Sequence, residues 1–106
     1  MTNVYCEQHT LPGGSEGAYL ICADGHATGS QEACAAVSGL LYALSGYFLN
    51  NASCIQAFEN ILLSGHARLR WQGGVEAKAV FDLCVIGFLQ IAAAHPACIS
   101  VKRSKK

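Results

Sequence analysis

Charge is scarce in this chain. Asp, Glu, Lys and Arg make up 13% of it and hydrophobic residues 52%, a balance that excludes an intrinsically disordered protein. The formal net charge is zero, so no global field directs the molecule to nucleic acid. Proline occurs only at Pro12 and Pro96, which leaves long stretches free for helices and strands. The opening Met1-Thr2-Asn3-Val4-Tyr5-Cys6-Glu7 has no basic region, apolar core or small-residue cleavage site, so a signal peptide is not expected. A cytoplasmic location with reduced thiols is the corresponding expectation. No two of the six cysteines have C-x-x-C spacing, which excludes a zinc knuckle and a thioredoxin-like motif. Gly13-Gly14 and Gly73-Gly74 read as turn and breaker glycines, not as a phosphate-cradling loop. No metal or other cofactor is expected. The longest apolar run, Ala33 to Leu49, is interrupted by Ser38, Gly39, Tyr42 and Ser45. It is short and polar for a membrane span and reads as a buried core helix, so no membrane partner is expected.

What is present fits one domain. A chain of 106 residues can bury roughly two thirds of its unfolded surface, enough for a core without disulfide or metal staples. The last five residues hold four of the seven basic side chains, Lys102, Arg103, Lys105 and Lys106. The expected division is therefore a domain over 1–101 and a basic tail over 102–106. Solvation is the simplest role for such a tail.

Hydrophobic patterning places the elements. Val4 to Thr10 and Glu16 to Ala23 read as strands joined by the turn sequence Leu11-Pro12-Gly13-Gly14-Ser15, and so as a hairpin. A Gly-rich loop, Asp24 to Ser30, leads into a helix from Gln31 to Leu49, capped by Thr28 or Ser30. On that helix Cys34, Val37, Ser38, Leu41, Leu44, Ser45 and Phe48 recur at three- and four-residue steps. Ala36, Leu40, Ala43 and Tyr47 make a second apolar line, so the helix is covered on more than one side, by a sheet or by a second subunit. Ser53 to Leu63 and His66 to Gln72 read as strands. Val75 to Ala94 reads as a second helix, with Ala79, Leu83, Ile86, Phe88, Leu89 and Ile91 expected in the core. Ala97 to Val101 is a last short strand. The order ββαββαβ predicts an α+β fold, two long helices packed on one face of a mostly antiparallel sheet.

One cysteine stands apart. Cys6, Cys22, Cys54, Cys84 and Cys98 lie in apolar runs and read as small buried hydrophobes. Cys34 falls in the first turn of a helix, where free backbone amides favour a thiolate. His26 lies eight residues earlier, in a loop long enough to return an imidazole to the thiol. Cysteine and histidine are the minimum for nucleophilic acyl transfer, with helix-start amides available for an oxyanion. From spacing alone, a buried helix cysteine and a solvated loop histidine account for the same residues.

Gly25-His26-Ala27, Gly29 and Cys34-Ala35-Ala36-Val37-Ser38 together resemble the signature of the ribosomal-processing cysteine protease family, Prp. The second helix, ending at Pro96, extends the resemblance over nearly the whole chain. The resemblance implies a small homodimeric, cytoplasmic bacterial enzyme. Its activity would be removal of the N-terminal extension of a large-subunit ribosomal protein, or of a phage capsid or scaffold protein. It makes His26 the general base and Cys34 the nucleophile. Ser38, one turn after Cys34, would shape the site by a local hydrogen bond or serve helix packing. Two departures are visible. Gln31 stands where the family has Asp, with Glu32 or Asp24 left to supply the charge, and the loop from His26 to Cys34 is about four residues shorter, by direct comparison with the family's signature. Ser64-Gly65-His66-Ala67 repeats the Gly-His-Ala turn but follows the first helix, so His66 is set aside in favour of His26.

Two further functions compete. A non-catalytic member would bind the extended N-terminal peptide, by pairing with a sheet edge, without cleaving it. An RNA-contacting accessory protein would use the basic tail. Trp71 alternates with Arg68 and Arg70, which assigns them to opposite faces of a strand and gives no stacking platform, so no direct nucleic-acid contact is expected.

Overall fold

Alternation of apolar and polar side chains builds the sheet, and apolar lines on two helices cover one of its faces. The computed structural model describes residues 1–25 and 29–106. The elements run β1 (Thr2–Thr10), β2 (Gly17–Asp24), α1 (Gln31–Asn50), β3 (Ile55–Leu63), β4 (His66–Gly73), α2 (Val75–Ala94) and β5 (Ile99–Lys105). The predicted ββαββαβ order and α+β class are what is found. The five strands form one sheet in the order β3-β4-β2-β1-β5. The β1–β2, β2–β4 and β3–β4 pairs are antiparallel, and β5 alone joins in parallel, beside β1.

The core lies between this sheet and the helices. In β4, Ala67, Leu69 and Trp71 are buried, while Arg68 and Arg70 turn to the opposite face and share the carboxylate of Glu59 at 3.0 Å. Trp71 is fully buried beside Tyr19, Phe48 and Phe81, with ring centroids 5.7, 5.1 and 6.1 Å away. Its indole N–H donates to the Ala77 carbonyl at 3.1 Å, so the polar edge of the ring is also satisfied. From α1, Ala33, Val37, Leu41, Leu44 and Phe48 enter the core. Both helices are long and apolar enough to cross a bilayer; each packs one buried line on the sheet, with 28% of its apolar window buried, so α1 is a one-sided helix and not the fully buried one expected.

Three expectations are corrected. First, α2 buries Ala77, Phe81, Cys84, Val85 and Phe88, whereas Leu83, Ile86 and Leu89 are exposed. Nearly every position of this helix is apolar, so composition does not single out the inward face. Second, the residues read as a basic tail continue β5: Lys102, Arg103, Ser104 and Lys105 pair with Tyr5, Cys6, Glu7 and Gln8. The Lys106 N–H donates to Gln8 O at 2.8 Å, and its Nζ lies 3.0 Å from Glu7. Backbone ladder bonds outweigh the preference of lysine for solvent, because side chains on an edge strand remain solvated. Third, Cys54 is exposed and Cys22 and Cys98 are half-buried, leaving Cys6 and Cys84 as the fully buried thiols. Burial pushes the Cys6 thiol up to about 12 and that of Cys84 to about 11, which makes both unreactive at neutral pH.

Candidate active site

The first turn of α1 presents Cys34. Ser30 caps the helix, its Oγ accepting the Ala33 N–H at 3.0 Å, and the Cys34 N–H donates to the Ser30 carbonyl at 3.2 Å. Of the two cap residues expected, Ser30 is the one used, and Thr28 lies outside the described residues. With the Ala33 and Cys34 amides engaged, the first-turn amides of Gln31 and Glu32 are those without a helical acceptor. Cys34 is exposed, one position round from the buried line of Ala33 and Val37. Glu32 suits the helix dipole but brings a negative charge to the same turn.

Cys34 borders two adjoining cavities. The smaller, about 70 Å³, lies between α1 and the ends of β2 and β4 and is lined by Cys34, Ser38, Gly25, Gly65 and His66, among others. The larger, about 320 Å³, is bounded by Cys34 and Ser38 on one side and by Leu41, Tyr42, Leu62 and Leu63 on the other. Ser38 is half-buried and faces both, as its position one turn after Cys34 implies. Gln31 is exposed at the start of α1. His26 lies outside the described residues, which resume at Gly29; the residue before it, Gly25, is described.

Gly25 has φ +94°, a region favouring glycine, and a Cβ there would collide with the Met1 carbonyl oxygen. Gly25→Ala is therefore expected to cost more than about 1 kcal/mol in urea unfolding, through both backbone strain and that collision. Asp24, one of the two carboxylates left to replace the family aspartate, is committed elsewhere: its Oδ1 lies 2.5 Å from His66 Nδ1. His66, set aside on chain order, thus borders the same cavity as Cys34. Its placement depends on the pairing of β2 with β4, and the repeated Gly-His-Ala sequence was the only local sign of it. Cys22, an apolar-run cysteine, sits on the open face of the sheet with Arg68 Nη1 3.5 Å from its sulfur.

Cys34 thus presents an exposed thiol in the first turn of a helix, beside a cavity on a small α+β sheet. Solved structures share the fold. This chain aligns over 97% of its length with 99% of the S. aureus essential ribosomal processing protease Prp in complex with a substrate peptide, at TM-score 0.69 and 16% identity. The same S. aureus protease with a covalently linked product peptide aligns at TM-score 0.67 and 16% identity, covering 94% of this chain and 98% of that one. A Streptococcus mutans protein aligns at TM-score 0.67 and 17% identity, over 100% and 99%. No protein-family model matches this chain, and no curated protein matches it in sequence. The fold is thus shared with solved structures of the ribosomal processing protease whose family signature Gly25 to Ser38 resembles.

Proposed function

We propose that this protein is a Prp-like cysteine endopeptidase that removes the N-terminal extension of a large-subunit ribosomal protein, or of a phage capsid or scaffold protein. The observation that carries the reading is an exposed Cys34 in the first turn of α1, at the junction of two cavities, on the fold of a ribosomal processing protease. His26 takes the thiol proton. The thiolate attacks the scissile carbonyl, and the imidazolium returns the proton to the leaving amine. Water then attacks the acyl-enzyme, again with His26 as base, and frees the new carboxylate and Cys34. First-turn amides of α1 face the developing oxyanion. Ser38 and Gln31 support the site, Ser38 from the cavity wall. The reading carries a cytoplasmic location and a homodimer, in which a second subunit would cover exposed apolar side chains such as Leu49 and Leu83.

The larger cavity supplies a specificity element. Leu41, Tyr42, Leu62 and Leu63 make one side of it apolar, which suits an apolar substrate side chain next to the scissile bond. Leu63 is 66% exposed, so Leu63→Glu leaves the core intact. It is expected to raise KM by about tenfold with a smaller change in kcat, measured by steady-state peptide cleavage.

A second reading is a catalytically impaired protein that binds the same extended peptide. It is favoured by an exposed Gln31 where the family has Asp and by the commitment of Asp24 to His66. Mass spectrometry of the ribosomal-extension peptide after incubation with wild type, Cys34→Ala and His26→Ala separates the two. Single-site cleavage by wild type alone is the expected result. Binding without cleavage would establish the second reading, and neither binding nor cleavage would overturn both for this substrate.

A further inference from the structure

The two edges of the sheet are built differently. On β5, Lys102, Arg103 and Lys105 are exposed. Basic side chains along an edge discourage an added strand, a common protection against unwanted pairing. The opposite edge, β3, has no lysine, arginine or proline, and its one charged residue, Glu59, is held by Arg68 and Arg70. A break in register at Phe58 disturbs its first half. Its second half, Asn60 to Leu63, pairs regularly with β4 and carries no such device.

The phase of the backbone identifies the groups this half leaves open. The Gly25 N–H donates to the Gly65 carbonyl at 2.9 Å, so the Gly65 backbone points to β2. Direction alternates along an antiparallel strand, so Ala67 and Leu69 also point to β2, and His66 and Arg68 point to β3. The partners of His66 and Arg68 are Leu63 and Ile61, which therefore use their backbone groups on β4. Asn60 and Leu62 alternate with them and turn N–H and C=O outward, where no strand among the described residues meets them. The same stretch reaches the candidate site. Leu62, Leu63 and the Ser64-Gly65 turn line the cavity of about 320 Å³ that Cys34 and Tyr42 border from α1. No charged side chain among the described residues lines it.

We propose that the peptide substrate binds as an added strand on the free edge of β3, its backbone pairing with Asn60 and Leu62 beside Cys34. The inference rests on the reading of the Cys34 cavity as a peptide site. Main-chain bonds to an edge strand supply affinity, and alternate side chains supply specificity. Four residues of β3 span about 13 Å, enough to hold about four residues of substrate. Every second side chain of that segment enters the cavity, whose walls are apolar or neutral. The segment accepted is therefore extended, uncharged and apolar at alternate positions.

The test reads the edge amides one by one. Amide hydrogen exchange is followed by NMR on the full chain carrying Cys34→Ala, which holds the ribosomal-extension peptide uncut, with and without that peptide. Asn60 and Leu62 should exchange freely in the unbound protein and slow at least about fivefold when the peptide saturates it. Ile61 and Leu63, bonded to β4, should be protected in both states and serve as the reference. In parallel, each amide of the peptide except the scissile one is replaced by an ester, which removes one N–H and keeps every side chain. Esters at alternate positions beside the scissile bond should each raise the KM of wild type about fivefold, with kcat within about twofold and the positions between them unaffected. A peptide that binds without slowing Asn60 and Leu62, or ester effects without alternation, overturns the added strand and leaves the protease reading standing. Protection of Asn60 and Leu62 already present in the unbound protein gives the edge to a second copy of the chain and also overturns it. A peptide neither bound nor cleaved removes the peptide-site reading for this substrate, and the added strand with it.

Discussion

Cys34→Ala is expected to abolish cleavage of the ribosomal-extension peptide while leaving the melting temperature of the protein nearly unchanged. Cys34 is exposed, so its removal opens no cavity in the core, and alanine is the better helix former. Chemistry loses its nucleophile, and the nearest hydroxyl along the helix does not replace it: Ser38 is half-buried a full turn away and has no base assigned to it. His26→Ala should retain a residue of activity, since a general base contributes typically about 10²–10⁴-fold and some thiolate forms without it. Initial rates by chromatography and melting by circular dichroism check both. Cleavage that persists in Cys34→Ala at anything near the wild-type rate would remove the nucleophile from this mechanism.

The largest effect on stability is expected at Trp71. It is fully buried, packs against Tyr19, Phe48 and Phe81, and ties β4 to the start of α2 through the bond to Ala77 O. Trp71→Ala should cost about 3–5 kcal/mol in urea unfolding, from lost burial plus the cavity left behind. Domains of this size are stable by only about 5–15 kcal/mol, and each kcal/mol lowers the melting temperature by about 4–8 °C. The variant should therefore melt many degrees lower or fail to fold. Trp71→Phe keeps most of the ring and loses the indole bond to the Ala77 carbonyl, which retains its partner within α2, so a smaller cost of about 0.5–1.5 kcal/mol is expected. A loss below about 1 kcal/mol in Trp71→Ala would mean that the sheet and helices do not meet around this ring.

Much of the fold was legible because its elements carry short-range signals. The alternation of Arg68, Leu69, Arg70 and Trp71 marked a two-faced strand, and Thr28 or Ser30 ahead of an apolar run marked a helix start, of which the structure uses Ser30. The inward face of α2 was not legible. A helix apolar all round has no stripe for periodicity to find, and contacts with the sheet decide that Phe81 and Cys84 go inside while Leu83 and Ile86 stay out. The fate of residues 102–105 was hidden for a related reason. Charge density suggests a solvated tail, whereas an open edge on β1 offers backbone partners that no local pattern announces.

The candidate site divides in the same way. By itself the sequence determined the element order, the α+β class, and the place of Cys34 in the first turn of a helix after a loop bearing His26. Each of these depends on residues within a few positions of one another along the chain. Only the tertiary structure decided that Leu63 walls the same space as Cys34, that Asp24 is taken by His66, and that Gly25 is bonded to the turn at Gly65. The last two relations join residues about forty positions apart through the register of β2 on β4, and register is set by which faces can be buried together, a property of the whole sheet.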